Sequence, residues 1–123
     1  MKGILSTGLL SVLAATPVSA VVLWATAYNE HTVSTLNFDP ATNSLTVVAK
    51  YTDCGSEPTW LTFDAKKSVL YCLNEGWGGN ASITSFMTHR DGTLMALDTI
   101  PVLKSPVSSV LYGPDNSGLA VAH

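Results

Sequence analysis

Leu70-Tyr71-Cys72-Leu73-Asn74-Glu75 decides the fold, because the chain carries the pattern three times. Leu23-Trp24-Ala25-Thr26-Ala27-Tyr28 stands 47 residues before it, and Leu119-Ala120-Val121-Ala122-His123 stands 49 after it. The segments between repeat as well. Val33-Ser34-Thr35-Leu36 matches Ile83-Thr84-Ser85-Phe86 at an offset of 50, and Leu45-Thr46-Val47 matches Leu94-Met95-Ala96 at 49. Pro58-Thr59-Trp60-Leu61 matches Pro106-Val107-Ser108-Ser109 at 48. Anchors this regular mark a repeated structural unit. Within each unit, short runs rich in Val, Thr, Leu, Tyr and Trp alternate with turn residues such as Asp39-Pro40, Ala65-Lys66-Lys67 and Asp91-Gly92. That spacing, roughly ten residues per run, reads as strands without a convincing helix.

Four strands per unit make the blade of a β-propeller. Lettered A to D outwards from the channel, the second blade reads A near Thr59–Phe63, B near Val69–Asn74, C near Ser82–Thr88 and D near Thr93–Thr99. The first unit has B, C and D; the third has A near Val107–Leu111 and then B, ending at His123. The fold class is therefore all-β, with about two blades of four antiparallel strands out of an expected seven. A seven-bladed ring at this period takes on the order of 340 residues. Residues 21–123 are accordingly read as the incomplete N-terminal part of a propeller, with unpaired strand edges at both ends and the remaining blades outside this chain.

Of the 123 residues, 46% are hydrophobic and 12% charged, with a formal net charge of −3. So apolar a chain must bury surface, which excludes disorder. The charge lacks the clustered Lys and Arg of a nucleic-acid binder. Met1-Lys2, the apolar stretch Gly3–Ala15, Pro17 and then Val18-Ser19-Ala20 have the layout of a secretory signal cleaved after Ala20. The stretch is too short for a comfortable bilayer span. Residues 1–20 are thus expected to be a signal peptide, giving a secreted product with no membrane attachment after its removal. The Asn80-Ala81-Ser82 sequon in a Gly-rich loop agrees with export and makes Asn80 a glycosylation candidate.

Cys54 and Cys72 are the only cysteines. An A–B hairpin turning at Ala65–Lys67 sets Cys72 opposite Trp60, so a bridge requires the Cys54 loop to fold back. Export permits a disulfide; the hairpin geometry leaves it open against two buried thiols.

The chain resembles the lactonase family of seven-bladed propellers, which includes bacterial-type 6-phosphogluconolactonases and fungal carboxy-cis,cis-muconate cyclases. The resemblance is carried by Cys54-Gly55-Ser56-Glu57-Pro58-Thr59-Trp60-Leu61-Thr62, Leu70-Tyr71-Cys72-Leu73-Asn74-Glu75-Gly76, Asp91-Gly92-Thr93-Leu94 and Pro106-Val107-Ser108-Ser109-Val110-Leu111-Tyr112-Gly113. It implies a small-molecule lactone or its open carboxylate as substrate, hydrolysed or formed without a cofactor. It also implies that catalytic His, Arg and Glu residues of the family stand in later blades.

In a propeller the B–C and D–A loops share one face, where ligands bind. Here the B–C loops bring Asn29, Glu30 and His31, then Asn74, Glu75 and Trp77; the D–A loops bring Asp53, Glu57 and Lys104. Lactone hydrolysis needs a group that activates water and donors for the oxyanion. Glu75 fits the base or acid, Asn74 the oxyanion donor, and His123 ends an inner strand within reach of a channel ligand. The competing reading gives Asn74 and Glu75 to the turn after strand B, and His123 to structure. His31 and His89 have no evident partner and are expected to be solvated. Trp77, in Gly76-Trp77-Gly78-Gly79, is either a sugar-stacking platform or a cover for the core, whereas Trp24 and Trp60 lie in strands as core or capping residues. No His, Cys and carboxylate set has metal-ligand spacing, and neither a nucleophile elbow nor a phosphate loop occurs. Secretion argues against a cytosolic substrate such as 6-phosphogluconolactone. The alternatives to an enzyme are a non-enzymatic secreted propeller serving as a binding module or scaffold, and an inactive truncated product.

Overall fold

The structure is a computed structural model that describes residues 19–123. All but the last two residues of the expected leader therefore lie outside the described part. Nine strands form three antiparallel sheets. The first holds β1 (Val21–Ala27), β2 (Thr32–Asp39) and β3 (Ser44–Tyr51). The second holds β4 (Pro58–Asp64), β5 (Val69–Asn74), β6 (Ser82–Thr88) and β7 (Leu94–Pro101). The third is the hairpin of β8 (Ser108–Tyr112) and β9 (Gly118–Ala122). Order within each sheet follows the chain, as it does in a propeller blade. The described residues contain no α-helix; single 3₁₀ turns occupy Tyr28–Glu30 and Pro114–Asn116.

Repetition extends to irregularities that no residue pattern announces. In the first sheet the register slips between Thr35 and Leu36, leaving Val48 unpaired on β3. In the second it slips between Ser85 and Phe86, leaving Leu97 unpaired on β7. The slipping pairs lie 50 residues apart and the extra residues 49, so both blades carry the same β-bulge. A bulge adds twist and bends its strand, which curves the outer edge of both sheets alike.

The sheets meet through β4, which lies against β1 on one side and β8 on the other. Between the first two sheets is the core: Val33, Cys54, Leu70, Cys72, Phe86 and Leu94, with Trp24, Tyr51 and Leu61 packed against it. Full burial of Phe86 or Leu70 contributes roughly 2–3 kcal/mol each. Polar contacts fix the angle between blades. The Gly92 carbonyl accepts the Trp24 indole N–H at 3.1 Å and the Thr35 hydroxyl at 2.8 Å. Trp24 also stands over Phe63, ring centroids 5.1 Å apart. On the far side the Thr62 hydroxyl donates to the Ser109 carbonyl at 3.1 Å. Trp60, expected as a core or capping residue, is instead 43% exposed.

Cys54 and Cys72 are joined in a disulfide, 18 positions apart. The residue opposite Cys72 is Leu61, not Trp60, because the hairpin loop holds four residues, 65–68, rather than three. Ser68, at φ 55°, closes that loop. The segment 52–57 does fold back over the sheet, far enough that the Asp53 carbonyl accepts the Thr84 hydroxyl at mid-strand, 3.2 Å away. Gly55 permits the reversal: its φ is +117°, and a Cβ there would lie 2.5 Å from the Asn74 amide nitrogen.

Candidate functional site

The two ends of the β4–β5 pair are chemically unlike. At the hairpin end Asp64 is fully buried, and its Oδ1 accepts the Lys66 and Lys67 N–H groups at 3.0 and 3.3 Å and the Asn116 amide at 3.0 Å. Desolvation pushes the Asp64 pKa up, but the hydrogen bonds from Asn116 and the two backbone N–H groups, with the Lys67 ammonium, outweigh it and hold the group below the usual carboxylate range. Its Oδ2 is buried without a hydrogen bond and lies 3.7 Å from the Lys67 ammonium, so the group is enclosed by the turn and the next blade.

At the opposite, loop end stand Glu57, Asn74 and Glu75. The strand ladder continues past β4 and β5, since the Glu75 N–H donates to the Glu57 carbonyl at 3.1 Å, so the two glutamates leave the sheet side by side. Asn74 is buried and organises both loops. Its Oδ1 accepts the Glu57 N–H at 2.9 Å, while its amide donates to the Asn80 carbonyl at 3.0 Å and the Ser82 hydroxyl at 3.3 Å. Both amide hydrogens are thereby engaged, and an oxyanion would have to displace one of them.

Glu75 is differently placed. Its Oε2 accepts the Tyr28 hydroxyl at 3.3 Å and the Trp77 indole N–H. Oε1 has no protein partner among the described residues. Glu57 Oε1 accepts the Gly78 N–H at 2.8 Å, and its Oε2 is buried without a hydrogen-bond partner. Partial burial first, then the Glu75 and Glu57 charges, raise the Tyr28 pKa, so its hydroxyl stays a donor through neutral pH. Tyr28 is missing from the residues singled out in the sequence, yet the repeat points to it: 47 residues before Glu75, it occupies the same place in the preceding blade.

The remaining candidates are distributed around this group. His31 is not simply solvated: its Nδ1 is hydrogen-bonded to the Ser56 carbonyl, tying the first blade to the loop before β4. His89 is exposed on the turn before β7, at the hairpin end. His123 places Nδ1 3.0 Å from the Lys104 carbonyl, and the Ser105 N–H donates to the Glu75 carbonyl at 2.9 Å. Residues 104–105 therefore link Glu75 and His123, with no direct hydrogen bond between the two side chains. Asp53 is exposed on the folded-back segment, and its carbonyl serves Thr84. Glu30 is paired with Lys50. Asn80 is exposed, its side chain free for modification while its carbonyl serves Asn74. Trp77 is 69% exposed and covers no core. Among the described residues no three His, Cys, Asp or Glu side chains cluster as metal ligands.

Comparison with known proteins agrees with this architecture. The sequence profile of the family described as "Lactonase, 7-bladed beta-propeller" matches residues 22–123. A curated relative from Arthroderma benhamiae, named a probable 6-phosphogluconolactonase, is 32% identical over 80 residues, covering 65% of this chain and 20% of the relative. The matched part thus spans about a fifth of that protein's length. No solved structure matches.

Proposed function

The chain belongs to the lactonase family of seven-bladed β-propellers, and from that premise we propose that its loop end forms part of a site that hydrolyses a lactone. The observation that carries this reading is the Glu75 carboxylate: Tyr28 and Trp77 hold one oxygen, and the other is free to take a proton from water. Water activated by Glu75 attacks the lactone carbonyl, and the ring oxygen leaves with a proton. His123 suits the second proton transfer. Donation from Nδ1 to the Lys104 carbonyl leaves Nε2 directed elsewhere, able to accept or deliver a proton. Asn74 is a positioning residue that sets the spacing of Glu57 and Glu75. Ring closure of a muconate would need cations for its carboxylates, and Lys104 alone is free of an ion pair at this end among the described residues. Hydrolysis is the direction that the local charge favours.

Secretion belongs to the same reading. It is supported by the leader-like residues 1–20 and by the exposure of Asn80 on its loop.

The test is proton release from a panel of lactones at constant pH, using the native protein isolated from its source. Turnover above the buffer rate, falling about 10²–10³-fold in Glu75→Gln, is the expected result. A folded native protein that leaves every lactone at the buffer rate overturns the proposal and favours a binding module.

A further inference from the structure

We infer that Trp77 is the stacking platform of a subsite for an uncharged sugar lactone, and that this end of the blade disfavours a phosphorylated one. The inference rests on the lactone-acting reading above and specifies its substrate. Trp77 is a large apolar side chain left 69% exposed, in a loop whose other members are Gly76, Gly78, Gly79 and Asn80. Isolated exposed hydrophobics are ordinary, but this one is held in place. Its indole N–H is bonded to Glu75 Oε2, which fixes the ring against rotation while leaving it in solvent. A tethered, exposed aromatic face suits the C–H face of a pyranose-like ring. The Glu57 carboxylate beside it suits a hydroxyl on the ring's edge, because Glu57 Oε2 is buried and unpaired, while Glu75 Oε1 stays with the attacking water. A buried acceptor left unpaired is costly, and a ligand hydroxyl relieves that cost.

Charge separates the candidate sugars. Lys66, Lys67 and Arg90 all stand at the hairpin end of the blade, on the turns after β4 and β6. At the loop end Lys50 is neutralised by Glu30, which leaves Lys104 against the two free glutamates. A phosphate dianion is ordinarily met by several convergent cations or N–H donors. Here the Gly78 N–H is already taken by Glu57, and the Glu75 and Ser105 N–H groups by carbonyls. Among the described residues nothing repays a phosphate for approaching two carboxylates.

The test compares D-gluconolactam, a neutral mimic that does not hydrolyse, with its 6-phosphate, by calorimetric titration of the native protein. The lactam is expected to bind, the 6-phosphate at least about 10-fold more weakly, and that gap to narrow as salt is raised. Trp77→Ala should weaken lactam binding about 10-fold or more, and Trp77→Phe, which keeps a ring, should weaken it less; both should melt with the wild type. Equal or tighter binding of the 6-phosphate, unchanged affinity in Trp77→Ala, or no binding of either compound overturns the inference. Trp77-dependent lactam binding without lactone turnover would leave the inference standing and remove the hydrolytic reading. Turnover that ignores Trp77 would do the reverse.

Discussion

Asp64 and Glu75 sit at opposite ends of one strand pair, and they use the same functional group for different purposes. Asp64 is buried, and one of its oxygens takes three hydrogen-bond donors, two of them from its own turn and one from the next blade. Glu75 is partly exposed, and its two side-chain donors, Tyr28 and Trp77, meet a single oxygen. Asp64 is held by the fold alone: Oδ1 takes the three donors, and Oδ2, buried without a hydrogen bond, faces the Lys67 ammonium at 3.7 Å. Glu75 is held on one side only, beside Glu57 and Trp77, and this is the arrangement that the proposed site uses. The propeller blade makes this division natural: short hairpins at one end need internal caps, and the longer loops at the other are free to meet a ligand.

Five variants probe the division between the two ends. The largest effect belongs to the element serving both ends, the Cys54–Cys72 bridge. Removing it as Cys54→Ser/Cys72→Ser frees the loop it closes, a loss of about 3 kcal/mol, and should lower the Tm of the native protein by up to about 6–12 °C in calorimetry. Because segment 52–57 carries the approach to Glu57, turnover should suffer even below the new Tm. Retained turnover there would mean that the folded-back segment does not position the glutamates.

Asp64 comes next. Its pKa is depressed in the folded state, so its contribution is complete above the unfolded value of about 3.9 and is lost as pH falls through the lower folded value. Asp64→Asn should therefore lower Tm at neutral pH and flatten the acid limb of the stability curve, leaving affinity at the loop end unchanged. Asp39→Asn, at an exposed turn where Thr42 and the Ala41 N–H depress the carboxylate pKa in the same direction, should do this more weakly.

The third test probes the joint between blades. Gly92 has φ +86°, and a Cβ there would lie 2.6 Å from Val22 Cγ1 and 2.7 Å from Thr35 Cγ2. Gly92→Ala should cost about 1–3 kcal/mol by crowding and backbone strain, read as a lower denaturation midpoint. Trp77→Ala should have the smallest effect on stability, within about 0.5 kcal/mol, because the ring is mostly in water already.

Much of this architecture is legible in the sequence, for a specific reason. A repeat displays each strand more than once, so β5 and β6 can be bounded by comparison with β1, β2 and β9 as well as by their own residues. Long-range consequences of single residues are less visible. The pairing of Cys72 with Leu61 depends on one extra residue in the 65–68 loop, closed by a left-handed Ser68. The matched bulges at Val48 and Leu97 each insert one unpaired residue in an outer strand, and the residue types there do not distinguish it from its paired neighbours. At the loop end, Glu75, Asn74 and Trp77 stand out by residue type. Their division of labour does not, because it depends on which lone pairs and amide hydrogens the folded loops occupy. His31 shows the same limit: its bond to Ser56 joins residues 25 positions apart.

Whether the loop end serves a ligand and the hairpin end the fold can be decided by measuring kcat/KM for a neutral sugar lactone and Tm together in Glu75→Gln and Asp64→Asn. The account predicts a crossed result. Glu75→Gln should lose about 10²–10³-fold in kcat/KM at an unchanged Tm, and Asp64→Asn should keep kcat/KM, measured well below its Tm, while losing stability. Full turnover in Glu75→Gln, or a loss of turnover in Asp64→Asn as large as that in Glu75→Gln, would contradict it.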